Sequence, residues 1–131
     1  MINLFSNYKI IFYSINFFFI FLYLFPGSLL GLFLYDDIKA QPQITSDFIV
    51  SSNHFYVFLL ISIIGFLSFL NSKRVKYLII YLFLLSSILE IFHLIIPKRS
   101  FQWSDLFGNL LGVIVVIFIY FLIKKYGNLK N

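Results

Sequence analysis

One short stretch of the sequence, residues 89–112, contains most of the side chains that could do acid–base chemistry or bind an anion. These side chains are Glu90, His93, Lys98, Arg99, Asp105 and Asn109. A carboxylate beside an imidazole can transfer protons, and neighbouring guanidinium and ammonium groups can hold a phosphate. In a chain that is only 11% charged, such crowding marks either the edge of a membrane or a functional site.

The composition places the chain among integral membrane proteins. Its 131 residues are 61% hydrophobic and 22% aromatic, and the mean hydropathy of +0.97 is too high for a soluble domain. There is no cysteine, which excludes disulfides and thiol chemistry. The net charge of +5 comes from basic residues that mostly flank apolar runs, where they orient membrane proteins. We therefore expect no nucleic-acid partner.

Four apolar stretches are long enough to cross the hydrocarbon core, which takes roughly 20 residues of helix. They cover about residues 10–35, 54–71, 77–96 and 104–124. Backbone groups in lipid must be hydrogen-bonded internally, so all four are predicted to be helices. The first is expected to be a retained anchor, tilted or bent near Pro26 and Gly27. The sequence thus predicts an all-α, polytopic membrane bundle with four transmembrane helices, built as one domain over residues 1–131.

The basic residues are divided unequally between the two sides of this predicted bundle. Seven fall on one side and three on the other. The seven are Lys9, Lys73, Arg74, Lys76, Lys124, Lys125 and Lys130, and the three are Lys39, Lys98 and Arg99. Cytoplasmic loops collect Lys and Arg, so both termini are predicted to be cytoplasmic. Every acidic residue and both histidines then lie in the outer loops or in the outer half of a helix.

The last predicted helix carries a stripe of two polar residues and two glycines. Positions three, four and seven residues apart share one helix face, and the stripe consists of Asp105, Gly108, Asn109 and Gly112. The two glycines have the GxxxG spacing that lets another helix approach closely. This face is therefore predicted to be a helix-packing surface that carries Asp105 and Asn109 into the protein.

Glu90 and His93, on the preceding helix, are predicted to meet this stripe. At about 1.5 Å per residue, Glu90 and Asn109 lie at similar depths below the connecting loop. A carboxylate in hydrocarbon must be paired or protonated, so Glu90 is expected to face the bundle. Its candidate partners are Arg99, His54, His93 and Asn109. The sequence predicts an extracytoplasmic polar pocket formed by His54, Glu90, His93, Arg99, Asp105 and Asn109.

Each of these residues also has a purely structural explanation. Polar side chains between transmembrane helices often only hold the helices together. Ser104 or Asp105 fits the cap of a helix, and His54 fits an interfacial position. Lys98 and Arg99 fit anchors to lipid phosphates equally well.

The same residues resemble the VanZ-like family of small bacterial membrane proteins over about residues 22–123. The pattern is Glu90-x-x-His93, Pro97-x-Arg99 and Asp105-x-x-x-Asn109-x-x-Gly112, preceded by His54 at the head of a helix. In that family the hallmark is Glu-x-x-Gln, then Pro-x-Arg, then Asp-x-x-x-Asn-x-x-Gly, with Asp-Lys-x-x-His upstream. The chain departs from it twice, because His93 replaces the Gln, and Val50 and Ser51 replace the Asp-Lys pair.

The resemblance implies a multi-pass protein of the bacterial cytoplasmic membrane and cell envelope. The founding member of the family is associated with low-level resistance to the glycopeptide teicoplanin. We expect membrane lipids as partners and a lipid-linked or glycopeptide-related ligand in the pocket. Lys98 and Arg99 would hold its anionic group. The sequence leaves open whether copies of the chain associate.

Two other functions stay open. One is an intramembrane enzyme with Glu90 or Asp105 as general base and His54 or His93 as acid partner. The other is a small proton- or ion-coupled transporter, since intramembrane carboxylates and histidines also mark ion pathways. Binding rather than catalysis is expected, because no nucleophile motif accompanies these residues. No cofactor is expected, and no metal either, since di-iron bundles need two Glu-x-x-His pairs and this chain has one.

Overall fold

The computed structural model describes residues 4–70 and 72–127, and the regular secondary structure in this part of the chain is entirely helical. The helices are α1 (Leu4–Leu24), α2 (Leu29–Tyr35), α3 (Ser52–Phe69), α4 (Val75–Phe92) and α5 (Trp103–Tyr126). The predicted all-α class is thereby confirmed. Asn71, at the end of the second predicted span, and Lys130 lie outside the described residues.

Three of the helices, α3, α4 and α5, are each long and apolar enough to cross a membrane. Residues Tyr8–Leu24 and Leu29–Tyr35 pass the same test together, but they meet at an angle of 77° and form either a broken span or a re-entrant loop. The protein therefore has three to four candidate membrane spans.

The third predicted helix ends earlier than the sequence suggests. The apolar run continues to residue 96, whereas α4 ends at Phe92 and the chain continues in turns and a bend over residues 93–98. Pro97 disfavours helical backbone at the residue before it, which is consistent with the early end. As a result, His93 occupies the C-cap position of α4.

The break between α1 and α2 follows from three consecutive residues. Pro26 has no amide hydrogen with which to continue a helix. Gly27 has φ +110°, in the left-handed region that glycine adopts at little cost. Ser28 then caps α2, because its hydroxyl accepts a hydrogen bond from the Gly31 amide at 2.9 Å. The bend expected near Pro26 and Gly27 is present as a complete interruption of the helix.

The long helices run antiparallel, so the bundle has two chemically different ends. At one, which we call the polar end, the C-terminal turn of α1 meets the start of α3, the end of α4 and the start of α5. Tyr23 of α1 makes these contacts. At the other, which we call the basic end, the Ser68 hydroxyl of α3 donates to the Tyr8 carbonyl of α1 at 2.9 Å. The rings of Phe66 and Tyr120 pack there with centroids 4.8 Å apart.

The two glycines of α5 lie where α5 approaches α3 most closely. A Cβ atom on Gly112 would lie 2.6 Å from the Phe55 carbonyl oxygen and 2.8 Å from the Leu59 amide nitrogen. A Cβ atom on Gly108 would lie 2.8 Å from the Ser51 carbonyl oxygen. These neighbours are backbone atoms, so no side-chain rotation can make room. The absence of side chains at Gly108 and Gly112 therefore sets the spacing of α3 and α5.

We expect Gly112→Ala to push α3 and α5 apart and to destabilise the protein by about 1–3 kcal/mol, the usual cost of overpacking. The measurement is the melting temperature of the detergent-solubilised protein. Leu111→Ala is the matched control, because Leu111 is the preceding residue of the same helix and its side chain is 38% exposed. Equal melting temperatures for Gly112→Ala and the wild type would contradict this close helix contact.

Candidate functional site

The Tyr23 hydroxyl is the centre of a hydrogen-bond network at the polar end. It donates to Glu90 Oε2 at 2.7 Å and accepts from Asn109 Nδ2 at 2.7 Å. It also lies 2.8 Å from His54 Nδ1. These residues come from α1, α4, α5 and α3 respectively, so one hydroxyl connects all four long helices.

The hydrogen bonds of Asn109 indicate which nitrogen of His54 carries a proton. Asn109 Nδ2 donates to the Ser86 carbonyl at 3.1 Å as well as to Tyr23, so the amide oxygen is the atom that faces His54 Nδ1, at 3.0 Å. An amide oxygen only accepts, and the Tyr23 hydroxyl has already donated its hydrogen. His54 Nδ1 is therefore the donor to both, which leaves Nε2 for other partners.

Glu90 is fully buried, and groups within the protein satisfy its carboxylate. Oε1 accepts from the Gln102 backbone N–H at 3.1 Å, while Oε2 accepts from Tyr23 and lies 3.3 Å from His93 Nδ1. His93 Nε2 lies 3.0 Å from the Tyr23 carbonyl oxygen, which only accepts, so Nε2 carries a proton. A second proton, between His93 Nδ1 and the Glu90 carboxylate, makes the contact of these two groups attractive. The two side chains thus form one imidazole–carboxylate pair.

Asp105 forms a second pair with His54 instead of capping its own helix. Gln102 occupies the N-cap position of α5 and makes no side-chain capping bond, so the proposed cap at Ser104 or Asp105 is wrong. Asp105 Oδ2 lies 3.4 Å from His54 Nε2. His54 Nδ1 already donates to other groups. The contact between Nε2 and Asp105 is therefore attractive when a proton lies between them and repulsive when none does.

Arg99 lies beside the network and does not pair with Glu90. Its Nε donates to the Phe25 carbonyl at 3.1 Å, and its two terminal nitrogens have no hydrogen-bond partner among the residues that the structure describes. Burial lowers the pKa of the guanidinium, and the charges of Glu90 and Asp105 act in the opposite direction. The neighbouring Lys98 has φ +62°, a backbone conformation that is uncommon outside glycine.

Two cavities meet at His54, His93 and Arg99. The first has a volume of about 170 Å³, and its apolar lining residues include Phe19, Leu22, Leu30 and Val57. The second has a volume of about 50 Å³, and its further lining residues are Gln41, Lys98, Ser100, Gln102 and Asp105. An apolar space and a polar space therefore share one wall of titratable and charged side chains.

One group of side chains in the described part of the chain has the spacing to hold a metal ion. His54, Glu90 and Asp105 each offer one ligand atom, and these atoms lie within 4.8 Å of one another. This group differs from the Glu90-x-x-His93 pair considered from the sequence. Glu90 already accepts hydrogen bonds from Tyr23 and Gln102, so a cation at this position would compete with internal donors.

All six site residues expected from the sequence lie at the polar end, but the residue that joins them was missed. Tyr23 belongs to an apolar run with many aromatic residues, where a tyrosine resembles a lipid-facing side chain. A usable signal was its spacing from Asn16, since a polar residue seven positions earlier shares one face of α1 with it. The contributions of the Ser86 carbonyl and the Gln102 amide are backbone contacts, which side-chain patterns do not reveal.

We expect Tyr23→Phe to destabilise the protein by about 1–3 kcal/mol, because it removes one buried hydrogen-bond partner from Glu90 and one from Asn109. The measurement is again the melting temperature in detergent. Tyr13→Phe is the matched control, since Tyr13 lies on the same helix and is 55% exposed. Equal effects of the two substitutions would show that the network does not hold the helices together.

The comparisons with known proteins agree with the resemblance seen in the sequence. No curated protein and no solved structure gives a significant match to this chain. The model of the VanZ/LLP1 family matches residues 2–124, which is nearly the whole chain. Together with the apolar helices, this match identifies a VanZ-like membrane protein. The chain belongs to the VanZ/LLP1 family.

Proposed function

We propose that this protein binds the anionic head of a membrane lipid or of a lipid-linked cell-envelope precursor at its polar end. The observation that carries the proposal is the meeting of an apolar and a polar cavity at His54, His93 and Arg99. A lipid has the same division, with a hydrocarbon tail attached to a charged head. The tail fits the space beside Phe19 and Leu30, and the head fits the space beside Lys98 and Arg99.

Arg99 is the residue best suited to bind the head. Its Nε is held by the Phe25 carbonyl, which fixes the guanidinium plane, while its terminal nitrogens keep their hydrogens for another acceptor. A guanidinium with this freedom binds two oxygens of a phosphate at once. Lys98 adds a second positive charge beside the polar cavity, and its left-handed backbone is a conformation that often accompanies ligand contacts.

The side of the membrane follows from the distribution of charge. Among the described residues, the basic end carries Lys9, Lys73, Arg74, Lys76, Lys124 and Lys125, whereas the polar end and its loops carry Lys39, Lys98 and Arg99. The positive-inside rule places the basic end in the cytoplasm. We infer that both termini are cytoplasmic, that the pocket faces outward and that the protein resides in the bacterial cytoplasmic membrane.

The test uses a polyprenyl phosphate and the polyprenol of the same chain length, which differ only in the phosphate. We expect the phosphate form to raise the melting temperature of the wild-type protein more than the alcohol does. Arg99→Gln should weaken binding of the phosphate form about tenfold or more, since a charge-assisted hydrogen bond contributes about 1.5–3 kcal/mol. Arg74→Gln is the control, because Arg74 is an exposed arginine at the basic end.

Equal shifts with the phosphate and the alcohol, or equal losses in the Arg99 and Arg74 variants, would contradict the proposal. A second readout is teicoplanin susceptibility, because a protein that occupies lipid-linked precursors would alter their presentation to a glycopeptide. Expression of the wild type in a susceptible bacterium is expected to raise the inhibitory concentration of teicoplanin, and Arg99→Gln is expected to abolish the increase at equal protein level.

A second candidate function, acid–base catalysis on the bound head, is favoured by the orientation of His54. Hydrogen bonds to Asn109 and Tyr23 hold Nδ1 in the protein. Nε2 is thereby directed to Asp105, and both residues line the polar cavity. An oriented imidazole beside a carboxylate can accept a proton from water or from a hydroxyl group.

If this second function is correct, incubation of the protein with polyprenyl phosphate should release polyprenol and inorganic phosphate, both of which chromatography can quantify. His54→Gln should retain binding, as judged by the melting-temperature shift, and should lose product formation at least 100-fold, the lower range for general acid–base catalysis. The absence of product with the wild type would exclude hydrolysis of this substrate and leave binding alone.

A further inference from the structure

A cavity of about 550 Å³ lies at the basic end, which is the end of the bundle away from the polar network. It is bordered by the turn between α3 and α4, by the first turns of α4 and by the last turns of α5. Its basic lining residues are Lys73, Lys76 and Lys124, and its apolar lining residues include Val75, Ile79 and Phe121. A basic rim over an apolar wall is therefore present here too.

Among the described residues, no acidic side chain neutralises the positive charge of this cavity. The acidic residues of the sequence are Asp36, Asp37, Asp47, Glu90 and Asp105, and all lie in the loop between α2 and α3 or at the polar end. Within the described part of the chain, none of the three lysines forms a salt bridge, since every ion pair there involves a histidine. The N-terminus of α4, which has no side-chain cap, adds a partial positive charge.

Tyr120 places a hydroxyl donor at the wall of this cavity. The residue lines the cavity, and only 8% of its surface is exposed. Among residues 8–70 and 72–127, whose side chains the structure describes, its hydroxyl has no hydrogen-bond partner. Here the hydroxyl is available to donate to an acceptor that enters from outside.

We propose that this cavity is a binding site for an anionic phospholipid of the leaflet at the basic end. The lipid phosphate binds Lys73, Lys76 and Lys124 and accepts a hydrogen bond from Tyr120. The acyl chains pack along Ile79 and Phe121, in the groove between α4 and α5. Basic cavities between transmembrane helices are known to hold anionic headgroups. This site is independent of the pocket at the polar end.

The experiment compares two lysines that are adjacent in sequence. Lys124 lines the cavity, whereas Lys125 does not line it and is exposed. The full-length protein is purified in mild detergent with phosphatidylglycerol or phosphatidylcholine, and retained lipid is counted by native mass spectrometry. We expect phosphatidylglycerol to be retained preferentially, and Lys124→Gln to weaken retention about fivefold, whereas Lys125→Gln has little effect. Tyr120→Phe should weaken retention without changing the charge.

Three results would overturn the proposal. The first is equal retention of phosphatidylglycerol and phosphatidylcholine. The second is an equal effect of Lys124→Gln and Lys125→Gln, which would reduce the lysines to general surface charge. The third is displacement of the lipid by inorganic phosphate at the same concentration, which would assign the site to free phosphate. Lys124→Gln should lower phosphatidylglycerol retention and leave the melting-temperature shift with polyprenyl phosphate, which depends on Arg99, unchanged, so failure here and failure of the polar pocket can be distinguished.

Discussion

The structure depends on one shared hydroxyl. Tyr23 is the only residue of α1 whose side chain contacts His54, Glu90 and Asn109 together, within the described residues. In a membrane, helices cannot rely on exclusion of water to bring them together, so packing and polar contacts must decide their arrangement. The Tyr23 hydroxyl accepts two hydrogen bonds and donates one, so all its hydrogen-bonding capacity is used. This one atom therefore joins the four long helices at the polar end.

A second polar contact fixes α1 nearer the basic end. There the Asn16 amide donates to the Tyr81 hydroxyl of α4. Asn16 and Tyr23 are seven residues apart and therefore lie on the same face of α1, about two helical turns from each other. Together the two contacts restrict sliding and rotation of α1 against α4. Specificity in this bundle thus comes from a few polar atoms, and bulk apolar packing supplies the contact area around them.

Much of the polar end could be predicted from the sequence, because charged residues are rare in this chain. Spacing alone placed Glu90 and Asn109 at matching depths, and the GxxxG pattern identified the face of α5 that approaches α3. Two features could not be read in this way. The partner of Glu90 is a tyrosine among many aromatic residues, and Arg99 is bound by the Phe25 carbonyl. The interruption at Gly27 could be anticipated, but the hydrogen bond from the Ser28 amide to the Ile38 carbonyl at 2.7 Å could not, because it joins the two ends of α2 through the backbone.

The interruption between α1 and α2 has a consequence for how a ligand reaches the polar pocket. Leu30, just beyond the break, lines the apolar cavity and is 58% exposed. This exposed flank belongs to a short helix at the rim of the bundle and not to a continuous span. Under the proposed function, a lipid would reach the pocket past this flank, by diffusion within the bilayer. Occupancy of such a site depends on the mole fraction of the lipid in its leaflet, so a minor lipid must compete with every neighbour that it displaces.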